Sequence, residues 1–85
     1  MSMSPAAMED AIVDCVLRVN PSFERAQIGP DTSFRDLGLT SLEVISVVFE
    51  IEERFRVTLV DAGLDRFQTV REAVTVLRGM PGVLA

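Results

Sequence analysis

Two Thr-x-x-Glu signatures, Thr40–Glu43 and Thr69–Glu72, together with the pair Ser4-Pro5, limit where this chain can begin its helices. Threonine at an N-cap with glutamate three residues on satisfies two otherwise orphaned backbone donors reciprocally. Serine followed by proline reads as an N-cap and a first helical position, where the missing proline N–H costs nothing. Each start is followed by apolar residues at helical spacing. Met8, Ala11, Ile12, Cys15, Val16 and Val19 follow the first. Val44, Val47, Val48, Ile51 and Phe55 follow the second, and Val70, Ala73, Val74 and Leu77 the third. Asn20-Pro21 stops the first helix, because the residue before proline is pushed out of the α region. The second runs to about Arg54 or Phe55, and Gly79 with Pro81 closes the third. Helices this short persist only by burying their apolar faces against one another, so an all-α, small antiparallel bundle is expected.

The remaining segments are less periodic. Pro21 to Leu39 holds Pro21, Gly29, Pro30 and Gly38, but also Phe23, Ile28, Phe34, Leu37 and Leu39. Apolar anchors spread through so long a connection imply an ordered loop packed over the helices. Val57-Thr58-Leu59-Val60 is β-branched but too short and isolated to found a sheet. Asp61 to Arg66 is read as the short fourth helix, a single turn capped by Asp61. Residues 1–85 are expected to form one domain, ordered over about 5–79 with loose termini. A chain that starts with Met and ends soon after the last helix is expected to be a discrete protein.

Composition narrows the function. Apolar residues are 48%, enough for one modest core. No apolar run approaches the roughly 20 residues that span a bilayer, and the N-terminus lacks a secretory pattern. A soluble, cytoplasmic, monomeric protein is therefore expected. Thirteen acids against eight bases, all arginine, give a net charge of −5. That balance disfavours nucleic acid and favours encounter with basic protein surfaces. There is no histidine or lysine to activate a serine, and Cys15 is the only cysteine. Histidine-dependent triads, Cys-rich zinc sites and internal disulfides are excluded, and no enzyme activity or metal is expected. Cys15 reads as a small core residue.

Ser41 is the candidate functional residue. A serine at a helix start is usually a cap. Here Thr40 is a competent cap and Glu43 completes its box, whereas a cap at Ser41 would place Val44 at the third helical position and lose the reciprocal bond. Ser41 is thus the first helical residue, with its hydroxyl directed outward. An anionic group attached there is favoured by the helix dipole and by open backbone N–H groups, by roughly 0.3–1 kcal/mol. Gly38 allows the tight turn before the helix.

These features have a family context. Asp31-Thr32-Ser33-Phe34, Leu37-Gly38-Leu39-Thr40-Ser41-Leu42, Phe49-Glu50-Ile51-Glu52-Glu53-Arg54-Phe55 with Val57, and Thr69-Val70-Arg71-Glu72-Ala73-Val74 stand in register. Over most of its length the chain resembles an acyl carrier protein. The resemblance implies that Ser41 carries 4′-phosphopantetheine, delivered from coenzyme A by a phosphopantetheinyl transferase. The arm's thiol would hold acyl intermediates of fatty-acid, polyketide or related synthesis as thioesters, and the carrier itself would do no chemistry. It also implies that the second helix docks onto basic patches of acyl-transferring or condensing enzymes. Leu42, Ile45 and Phe49 would supply apolar contacts, and Glu43, Glu50 and Glu53 charge.

Two departures stand out. The family usually has aspartate where this chain has Thr40, which keeps the cap but removes a charge beside the site. Val44 and Ser46 replace commonly polar or acidic positions, so the docking surface looks more apolar and points to a specialised pathway. Two other readings stay open: an aminoacyl or peptidyl carrier, and a helical adaptor that keeps the fold without the arm.

Overall fold

The computed structural model describes residues 3–59 and 66–80. Among them are four α-helices and no strand: α1, Pro5–Val19; α2, Phe34–Leu37; α3, Ser41–Phe55; and α4, Val70–Arg78. The all-α bundle is as expected, with α1 packed against both α3 and α4.

Local chemistry sets the boundaries of α1. Ser4 Oγ accepts from the Ala7 N–H at 3.1 Å, and Pro5 opens the helix. Met8, Ala11, Ile12, Cys15 and Val16 form the buried stripe, with spacing that keeps them on one side. Val13 is also buried, which widens the stripe beyond the expected face, while Val19 is only half-buried. Asn20 closes the helix with its N–H on Val16 O at 2.9 Å. Its side-chain oxygen accepts from the Ser22 N–H at 3.2 Å, and its amide donates to Glu43 Oε2 at 3.1 Å. One residue thereby ends α1, starts the connection and ties both to the mouth of α3.

The connection to α3 is ordered, and its structure goes beyond the loop expected. It contains a 3-10 turn at Arg25–Gln27 and the four-residue α2. Ile28, Phe34 and Leu39 are buried as anchors. The Phe34 N–H donates to Gln68 O at 2.8 Å, and the Arg71 N–H to Pro30 O at 2.9 Å, so backbone bonds pin this stretch to the approach and first turn of α4. The short helix read at Asp61 to Arg66 lies, apart from Arg66, outside the described residues; the short helix that is described is α2.

Gly38 ends α2 with φ at 100°, a left-handed conformation that glycine adopts without penalty. Arg56 ends α3 in the same region, at φ 56°, but with a side chain. The expected core face of α3 is buried at Val47, Val48 and Ile51 and half-buried at Val44 and Phe55. The segment 57–59 forms neither helix nor strand; Leu59 is buried, and its N–H donates to a Glu52 carboxylate oxygen at 2.6 Å. At α4, Thr69 Oγ1 accepts from the Glu72 N–H at 3.1 Å, but the reciprocal bond of a full box is not formed. No polar or charged side chain is buried among the described residues, so this core has no internal electrostatic cost to offset.

Candidate functional site

The turn Gly38-Leu39-Thr40 delivers the chain into α3. Leu39 is buried beneath it and anchors the turn to the core. Thr40 adopts the extended conformation of a cap, φ −75° and ψ 165°. Its Oγ1 accepts from the Glu43 N–H at 3.1 Å, and Glu43 Oε1 accepts from the Thr40 N–H at 3.0 Å. The box predicted from sequence is complete. Ser41 follows as the first helical residue and is exposed. Its hydroxyl makes no hydrogen bond among the described residues, since both capping bonds belong to its neighbours.

Ser41 stands at the edge of a pocket of about 340 Å³. Phe34, Leu39, Val44, Ile45 and Phe67 give it an apolar interior. Ser33, Arg35 and Gln68 add polar groups. Sequence periodicity could not place this pocket, because its walls come from α2, α3 and the segment before α4. A Cβ built on Gly38 would meet nothing within 4 Å, so its φ of 100°, not crowding, is what favours glycine there.

Leu42, Ile45 and Phe49, the apolar contacts expected on α3, are not equally exposed. Leu42 is 75% exposed and Phe49 54%, the two large hydrophobic side chains most exposed among the described residues. Ile45, between them in sequence, is half-buried and turns into the pocket wall. The acids on this helix are less uniform than a helical wheel implies. Glu43 is held by Thr40 and Asn20, and Glu50 pairs with Arg18 at 3.1 Å. Glu53 is exposed and makes no ion pair among the described residues. On the far side, Arg54 and Arg25 both pair with Asp14, Arg54 at 3.5 Å, and Arg25 also reaches Asp10 at 3.8 Å.

Cys15 is fully buried in α1. Burial, as the largest cause, pushes its thiol up to about 11, with Arg54 the largest opposing influence. At neutral pH it is protonated and shielded, so it is neither a nucleophile nor a disulfide partner. The folded chain is expected to resist maleimide at pH 7 and to take up one label once unfolded in urea. Rapid labelling of the folded chain, followed by mass spectrometry, would contradict the burial.

Comparison with known proteins fits this geometry. A family model described as the phosphopantetheine attachment site matches residues 10–77. The chain belongs to the acyl carrier protein family. It is 35% identical over 63 residues to an acyl carrier protein of Onion yellows phytoplasma, covering 73% of this chain and 83% of that one. It is 41% identical over 56 residues to an acyl carrier protein of Treponema pallidum, covering 65% and 72%. A mitochondrial acyl carrier protein of Dictyostelium discoideum is 29% identical over 76 residues, covering 86% and 63%. The prosthetic group of this carrier is 4′-phosphopantetheine, and the surface around Ser41 fits it: an exposed hydroxyl and an adjoining pocket with an apolar interior. Among the described residues no helix is long and apolar enough to cross a membrane.

Proposed function

We propose that Ser41 is the attachment residue and that the chain carries acyl intermediates of fatty-acid, polyketide or a related specialised synthesis. The observation that carries the reading is the division of labour at the start of α3. Thr40 and Glu43 complete the cap, leaving an exposed serine hydroxyl at the mouth of an apolar pocket. The other described serines in the matched span are placed less well. Ser22 donates its hydroxyl to Asn20, Ser33 precedes the four-residue α2, and Ser46 lies in the second turn of α3.

The bound arm supplies a thiol that holds cargo as a thioester. The chain's own residues position it: Thr40 and Glu43 fix the helix start, and Phe34 and Leu39 fix the turn beneath. Tethering raises the effective concentration of cargo at each partner, which is the carrier's contribution. No catalytic group is required of it. A cytoplasmic location and a monomeric state complete the reading. The test is intact-protein mass after incubation with coenzyme A and a broad-specificity phosphopantetheinyl transferase. One arm per chain is the expected result; an unchanged mass with several transferases would favour the adaptor reading.

Partner docking is assigned to α3. Leu42 and Phe49 offer exposed apolar area, Ile45 borders the pocket, Glu53 is exposed toward a basic partner surface, and Glu43 and Glu50, held by Thr40, Asn20 and Arg18, add negative charge beside it. An aromatic anchor that acts as a hot spot contributes about 1.4 kcal/mol or more, and about 1.4 kcal/mol is 10-fold in affinity. Phe49→Ala is therefore expected to slow cargo transfer from a fatty-acid acyltransferase about 10-fold at sub-saturating carrier. Its uptake of the arm should be intact. Equal transfer rates for the two proteins would remove Phe49 from the interface.

A further inference from the structure

We infer that Arg35 holds the phosphodiester of the arm. This rests on Ser41 being the attachment residue. Arg35 is the cation that shares a pocket with Ser41. It is exposed and, like Arg56, Arg66 and Arg78, makes no ion pair among the described residues, whereas Arg18, Arg25, Arg54 and Arg71 each pair with a carboxylate; of the unpaired arginines it is the one that lines this pocket. No carboxylate lines this pocket; Asp36, next to Arg35 in the chain, is exposed and is not among the lining residues. Residue 40 is an uncharged threonine, and the Glu43 carboxylate is turned to the Thr40 N–H and to Asn20.

The backbone that presents Arg35 is fixed. Phe34, its neighbour, is buried and bonded through its N–H to Gln68 O at 2.8 Å. The Arg35 carbonyl accepts from the Gly38 N–H at 3.0 Å, so the turn that leads to Ser41 is closed on Arg35 itself. A phosphodiester esterified to Ser41 Oγ must place its two anionic oxygens next to that hydroxyl. A guanidinium offers paired donors matched to two such oxygens and stays charged at any working pH. Arg35 would thus bias the first bonds of the arm toward the pocket side of α3 and away from the Leu42 side.

An exposed pair of this kind contributes little to stability, so melting is the wrong readout. The side chain itself is observable. In ¹⁵N-labelled protein, loading the arm should move the Arg35 Nε–Hε cross-peak more than that of any other arginine. In the ³¹P spectrum, Arg35→Gln should shift the phosphodiester resonance and remove its dependence on salt, while Arg35→Lys keeps part of that dependence. Arg71→Gln, on α4 and paired with Asp31, should leave the phosphorus resonance where it is. If the arm is gained and the Arg35 cross-peak stays still, the pairing is wrong and the attachment stands. If the native chain gains no arm, both fall.

Discussion

Phe34→Ala is expected to cost about 3–5 kcal/mol, the range for truncating a buried aromatic. A chain of this length has on the order of 4–13 kcal/mol in total, so much of the population would unfold at the low end of that range. The corresponding fall in Tm is about 15–30 °C. The size follows from the buried ring alone, since alanine keeps the backbone bonds that position 34 makes. Phe34 is 1% exposed and forms part of the apolar interior beside Ser41. Its N–H reaches Gln68 O at 2.8 Å, and its carbonyl accepts from the Leu39 N–H at 3.1 Å. It therefore anchors α2, the approach to α4 and the turn before α3 at a single point. Phe34→Leu, which keeps most of the volume, should cost less than about 1.5 kcal/mol. Thermal and urea melts followed by circular dichroism make the comparison. A loss below about 1 kcal/mol for the alanine variant would mean that the connection holds its shape without this anchor.

The importance of Phe34 was visible in the sequence only as an apolar residue inside a long unpatterned stretch. Both ends of α1 and the start of α3 are legible because they are local events: Ser4-Pro5, Asn20-Pro21 and Thr40–Glu43 carry their own signals, whereas the end of α3, at a left-handed Arg56, reads only as about Arg54 or Phe55. A four-residue helix has one turn and hence no period to read, so α2 is indistinguishable from loop in the sequence. What fixes it is long-range, the Phe34–Gln68 and Arg71–Pro30 backbone bonds that join the connection to the approach and first turn of α4. The same limit applies to charge. A helical wheel puts Glu43 and Glu50 on the solvent side of α3, but both are half-buried. It cannot show that Asn20 and Arg18, at the end of α1, come up to meet them. Thr69–Glu72 repeats the spacing of Thr40–Glu43, yet forms only half the box. Thr69 has φ of −139° against −75° at Thr40, which rotates its N–H away from the glutamate. The two threonines share a motif but differ in the backbone that leads into them.

The serine and the threonine at the start of α3 should separate cleanly under mutation, and this is the largest functional effect expected. Ser41→Ala removes an exposed hydroxyl that makes no bond among the described residues, at a helical position where alanine is favourable. Its stability should lie within about 0.5 kcal/mol of the native chain, while uptake of the arm falls to nothing. Thr40→Ala removes the cap and strands the Glu43 N–H, with an expected cost of about 0.5–2 kcal/mol. It should still accept one arm per chain, because the Ser41 hydroxyl proposed for attachment remains. Thr40→Asp keeps the cap and adds a charge favoured by the helix dipole, so it should melt at or above the native temperature. Two measurements on each variant, a melt and an intact mass after incubation with the transferase, place them on independent axes. Arm uptake by Ser41→Ala would move the attachment to another residue. A melting loss for Ser41→Ala as large as that for Thr40→Ala would make the serine a cap, and the separation of structural and chemical duties between these two neighbours would be lost.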